Sequence, residues 1–193
     1  MSTKSPVFQA VYQPRRLQRG VGVVEVLIAL VVISFGVLGM AGLQLTGMKQ
    51  SNNGYNRSKA VMLAEDMATR MRINVSGSEQ ALYNKFDSTT TDCTTRPEPY
   101  CQAYRGFDGA ACDAQNLAIF DMYVVACGER GVTGPIGGVA DLLPANSALK
   151  VVCDVEPCVP GASYTVSVTW PEGKNASSAD ASHTGRVQMR LQP

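Results

Sequence analysis

From Val21 to Leu45 the chain reads VGVVEVLIALVVISFGVLGMAGLQL, an apolar run broken only by one carboxylate, Glu25, and one amide, Gln44. This run constrains everything that follows it. As a helix it spans roughly 37 Å at 1.5 Å per residue, enough to cross a hydrocarbon core of about 30 Å. Residues 1–20 hold Lys4, Arg15, Arg16 and Arg19 and no acid, and no cation follows the run directly. By the positive-inside rule the N-terminus is then cytoplasmic and the rest of the chain lies outside. A secretory signal peptide fits poorly, because the run is too long and no A-x-A-like site closes it before Lys49. A plain signal anchor explains length and orientation, but not an acid five residues into the run.

The cysteines agree with an exported chain. Cys93, Cys101, Cys112, Cys127, Cys153 and Cys158 all lie after residue 90, and an even set in one half of such a chain reads as disulfides formed in an oxidising compartment. Six cysteines allow 15 connectivities, which spacing does not resolve. Cys101–Cys112 is suggested as one short bridge, by proximity across a Gly-containing turn. Cys153 and Cys158 have no second knuckle and no His beside them, which argues against zinc.

Composition excludes several function classes. The chain has 193 residues, enough for one domain with its own core, and a formal charge of +1. Without residues 1–20 it carries 13 basic against 16 acidic side chains, with no basic stripe interleaved with aromatics, so no nucleic-acid partner is expected. The single His183 makes His-based metal sites and triads improbable. No G-x-S-x-G, P-loop, H-E-x-x-H or EF-hand loop occurs, so the chain reads as no enzyme, with no cofactor and no metal.

Glu25 is the residue with a missing partner. A carboxylate in an apolar segment costs energy unless paired. Cleavage after Gly20 would create a cation, the Val21 α-amino group, one helical turn away in the same chain or across from it in a neighbouring one. Either pairing would offset the desolvation of both groups.

The stretch Gly20-Val21-Gly22-Val23-Val24-Glu25-Val26-Leu27, after a basic leader, resembles the processing signal of type IV prepilins. The resemblance covers about the first 50 residues. It implies cleavage by prepilin peptidase between Gly20 and Val21, N-methylation of Val21, and an assembly role for Glu25. Two positions depart from the family pattern: Val21 stands where Phe is usual, and Gly22 replaces a small polar residue. Glu25-Val26-Leu27-Ile28-Ala29-Leu30 and, more weakly, CDAQNLAIFDMYVVAC are similar to stretches of the PilV-like minor pilins. That group implies a filament-initiating or tip role supporting twitching motility and adhesion. Its partners would be prepilin peptidase, other major and minor pilins, a tip adhesin and inner-membrane lipid. The expected location is the inner membrane with the head in the periplasm, then the surface filament of a Gram-negative bacterium. Two alternatives remain: an I-type minor pseudopilin of type II secretion, and a monomeric anchored receptor or inhibitor.

The remaining sequence predicts an α+β fold: a long N-terminal helix whose C-terminal half packs on a small antiparallel sheet. Its divisions are a leader over 1–20, a membrane or filament-core helix over 21–45, an amphipathic second half over 46–76, and a disulfide-bonded head over 77–193. Gly36, Gly39 and Gly42 would let apolar helices approach closely. Asn52-Asn53-Gly54 suggests a bend or break. From Ala60 to Val75, Ala60, Val61, Leu63, Ala64, Met67, Ala68, Met71 and Val75 share one helical face, and Gly77 is the expected stop. Residues 76–115 read as a stapled surface loop, Asp113–Cys127 as a helix capped by Asp113, and 128–147 as irregular. Strands are expected at Leu149–Val155, Tyr164–Trp170 and Gly185–Leu191, the second burying Tyr164, Val166, Val168 and Trp170. A long hairpin loop is expected between the last two.

Overall fold

The structure is a computed structural model that describes residues 20, 22–103, 108–130, 135–172 and 184–193. It divides into two compact units, Met1–Thr46 and Gly47–Pro193. Helix α1 runs Val23–Ile73 and contributes to both. In the first unit its side chains, from Val23 through Leu45, are exposed.

The second unit is α+β. Helices α2 (Val75–Glu79), α3 (Ala114–Cys127) and α4 (Gly138–Leu142) and a 3-10 turn at Ser88–Thr90 accompany six strands. Strands β1 (Phe86–Asp87), β4 (Ala148–Cys153), β5 (Tyr164–Pro171) and β6 (Thr184–Leu191) form an antiparallel sheet in the order β1-β4-β5-β6. Strands β2 (Glu129–Arg130) and β3 (Pro135–Ile136) make a separate antiparallel pair. The core joins the buried α1 residues Ala60, Leu63, Ala64, Met67, Ala68 and Met71 to the inner sheet face. On β5 every second residue is buried, Tyr164, Val166, Val168 and Trp170, because strand side chains alternate between faces.

Three expectations are corrected. α1 does not bend or break at Asn52-Asn53-Gly54; all three are helical. Poor formers there cost up to about 1 kcal/mol each. Propagating a helix already formed on both sides needs no new nucleus, so these penalties are tolerated. The helix ends instead at Asn74, not at Gly77, which is buried inside α2. Val75 therefore leaves the stripe and is 44 % exposed. Finally, 76–115 and 128–147 are not wholly irregular: they hold α2, β1 and the 3-10 turn, and β2, β3 and α4. Tyr83 and Phe86, inside the expected surface loop, belong to the core. The expected loop between β5 and β6 lies largely outside the described residues.

Gly185 sits directly opposite Trp170 in the β5–β6 register, and a Cβ added there would run into the indole ring. Trp170 is fully buried and has no free space to yield. Gly185→Ala should therefore destabilise the head by about 2 kcal/mol, a fall in melting temperature of roughly 4–8 °C. Gly54→Ala, in open space on α1, should instead raise helix stability by up to about 1 kcal/mol. Thermal unfolding of both variants by circular dichroism checks the contrast.

Candidate functional site

Glu25 lies in the first turn of α1, where the helix dipole favours a negative charge. Its backbone N–H donates to the Gly22 carbonyl at 2.9 Å, opening the helix. Among the described residues its carboxylate has no hydrogen-bond or ion-pair partner. Around it Val23, Val24, Val26, Leu27 and Ile28 are all exposed. α1 is long and apolar enough to cross a membrane, and none of its most apolar stretch is buried. Gly20 is exposed; Val21 lies outside the described residues. Gly36, Gly39 and Gly42 meet nothing within 4 Å, so the helix surface there is open.

All six cysteines are paired: Cys93–Cys127, Cys101–Cys112 and Cys153–Cys158, with Cα separations of 5.4, 5.7 and 5.8 Å. The first ties the loop after the 3-10 turn to the last residue of α3. The third closes the turn that leaves β4. The loops they close span 34, 11 and 5 residues. In the chain-entropy picture the longest contributes about 4 kcal/mol and the shortest about 2 kcal/mol. They hold a loop-rich segment that buries little apolar surface by itself.

A buried polar cluster, not anticipated from sequence, joins α1, α3 and the turn before β1. Asp121, 3 % exposed, accepts from the Tyr83 hydroxyl at 2.7 Å and from the Arg70 guanidinium at 3.2 Å. Arg70 also pairs with Asp66, one turn back, at 3.0 Å. The Asn74 amide nitrogen donates to Tyr83 at 3.0 Å and to the Ala114 carbonyl at 2.8 Å. Its oxygen accepts from the Gly77 N–H at 3.1 Å, capping α2. Burial pushes the Asp121 carboxyl above its ordinary range, against the pull of Tyr83 and Arg70. For Arg70 burial opposes the charge but is outweighed by Asp66 and Asp121, so its pKa rises. The two ends of the pair differ because Arg70 has three carboxylates within 4 Å, Asp66, Asp121 and Glu129, and is more exposed. Burial, reinforced by Asp121, raises the Tyr83 phenol far out of the physiological range. These groups lock α1, α3 and the turn before β1 together.

The lone acid in AIFDMYVV was a legible signal. The partner argument applied to Glu25 applies equally to Asp121, whose partners prove to be intramolecular. Among the described residues no group of three or more His, Cys, Asp or Glu side chains could hold a metal ion.

An exposed apolar helix and a disulfide-bonded α+β unit with a four-stranded antiparallel sheet are consistent with a pilin fold. A family model described as Tt1218-like, type IV pilin Tt1218, matches residues 42–123, from the second part of α1 through most of α3. Over that stretch, which is less than half of the 193 residues, the chain is similar to type IV pilins, and the match supports a type IV pilin family. The matched stretch does not overlap Gly20–Leu30, so this match and the likeness of that N-terminal stretch rest on different residues. No curated protein and no solved structure is significantly similar to the chain.

Proposed function

We propose that this chain is a minor type IV pilin, cleaved by prepilin peptidase between Gly20 and Val21, methylated on the Val21 amine and assembled through Glu25. The observation that carries the proposal is the unpartnered Glu25 carboxylate at the start of an exposed apolar helix. A monomeric anchor would leave that charge without compensation in lipid. In a filament the Val21 amine of an adjacent subunit supplies it. The head joins other pilins in initiating or tipping the filament, and so supports twitching motility and adhesion. Before assembly the subunit stands in the inner membrane with its head in the periplasm, where the three disulfides form.

Two measurements test this. Intact mass of the chain from peptidase-positive cells should lack residues 1–20 and carry one methyl group; a retained leader contradicts processing. Deletion of the gene should impair twitching while leaving exoprotein secretion intact. The reverse pattern would assign the chain to type II secretion.

A further inference from the structure

Helix α1 carries a cationic stretch just beyond the apolar run. Between Gly47 and Lys59 it carries Lys49, Arg57 and Lys59 and no acid, whereas residues 60–193 hold 10 basic against 15 acidic side chains. Lys49 and Arg57 are exposed and Lys59 half-buried; the buried stripe begins only at Ala60. Tyr55 is 62 % exposed, and the Lys59 ammonium sits 4.3 Å above its ring. Cations are normally depleted on the outer flank of a membrane span, although here the four leader cations outnumber them. This cluster therefore needs a reason.

We propose that Lys49, Arg57 and Lys59, with Tyr55, form a collar that binds the anionic phospholipid headgroups of the leaflet on the head's side. The proposal rests on reading the apolar part of α1 as a membrane span. The dimensions agree. Lys49 to Lys59 covers about 15 Å along the helix. A leaflet's headgroup layer is about 5–7 Å thick, and its potential reaches roughly 8–10 Å further at physiological salt. Lys49 follows exposed Met48, so its apolar stem extends the apolar surface while its ammonium reaches the phosphates. Tyr55 is amphipathic and of the type enriched at membrane interfaces, and Arg57 and Lys59 stand where the surface potential is still felt. An acidic face on a neighbouring subunit is the competing occupant; the collar's position just beyond the apolar run, with Lys49 one helical turn past Leu45, favours lipid.

The test uses the full chain in vesicles of phosphatidylcholine with phosphatidylglycerol. Electron paramagnetic resonance of spin-labelled forms of each lipid reads their relative association with the protein. The comparison is with a Lys49→Gln/Arg57→Gln/Lys59→Gln variant, whose substitutions keep helix propensity nearly unchanged. The phosphatidylglycerol preference should fall by about fivefold or more, the effect of one Lys or Arg near an anionic surface. Comparing the two proteins separates the collar from the leader cations. Equal preference in both, or none in either, overturns the collar. Equal preference together with loss of the variant from sheared filaments overturns it in favour of a protein partner. Alkaline extraction of the same vesicles separates the premises. A chain stripped by alkali overturns the membrane span and the collar with it, whereas an inserted chain without the preference difference overturns the collar alone.

Discussion

Glu25→Ala is expected to leave leader cleavage nearly intact and to remove most of the protein from filaments. The peptidase reads chiefly Gly20 and the leader, so processing does not need the carboxylate. Assembly does, because the Val21 amine of a neighbouring subunit would enter an apolar helix bundle without a counter-ion. Truncating one member of a desolvated pair costs about 3–5 kcal/mol, against roughly 1 kcal/mol for an exposed pair. The larger cost nearly abolishes incorporation; the smaller changes it only several-fold. Glu25→Gln keeps shape and some hydrogen bonding but no charge, so it should behave more like Ala than like wild type. Both variants should fold normally in the head, since Glu25 belongs to the other compact unit. Immunoblots of sheared filaments against inner membrane give the ratio for each variant, and wild-type ratios for both would remove Glu25 from the assembly account.

Asp121→Ala is the second change with a large expected effect, and it acts on the fold alone. It removes the most buried carboxylate partner of the Arg70 guanidinium, whose side chain is 18 % exposed, and leaves the buried Tyr83 hydroxyl without its acceptor. Arg70 keeps Asp66, which places the cost near the low end for a broken buried pair, about 3 kcal/mol. For a head of this size that lowers the melting temperature by roughly 6–12 °C. Asp121→Asn keeps one acceptor toward Arg70 and should lose about half as much. Near-UV circular dichroism of the full chain in detergent follows the tertiary melt. An unchanged midpoint for Asp121→Ala would show that the cluster holds nothing together.

The parts legible in the sequence are those whose pattern belongs to one element. The apolar run, the Ala60–Met71 stripe and the alternation of Tyr164–Trp170 each repeat at a fixed period, and Asp113 caps α3 by purely local chemistry. Short elements defined by distant partners were not legible. β1 is two residues long and exists because Phe86 and Asp87 pair with Val151 and Lys150. The β2–β3 pair depends on close backbone approach at Gly128 and Gly138, and on positive φ at these two and at Gly137. Asn74 falls inside the Ala60–Val75 stretch expected to continue as one helix to Gly77. Its amide instead serves Tyr83, Ala114 and Gly77 at once, which ends α1 there. The cysteine count implied disulfides, while Cys93–Cys127 and Cys153–Cys158 were left open, because pairing depends on which elements the fold brings together.

The account stands most directly on whether this chain becomes part of a filament, and only after processing. The measurement is the amount of the protein in sheared surface filaments from cells with and without prepilin peptidase, normalised to the total in each. The account predicts leaderless protein in filaments from peptidase-positive cells, and full-length protein confined to the inner membrane when the peptidase is absent. A chain that stays wholly in the membrane of peptidase-positive, piliated cells would contradict it.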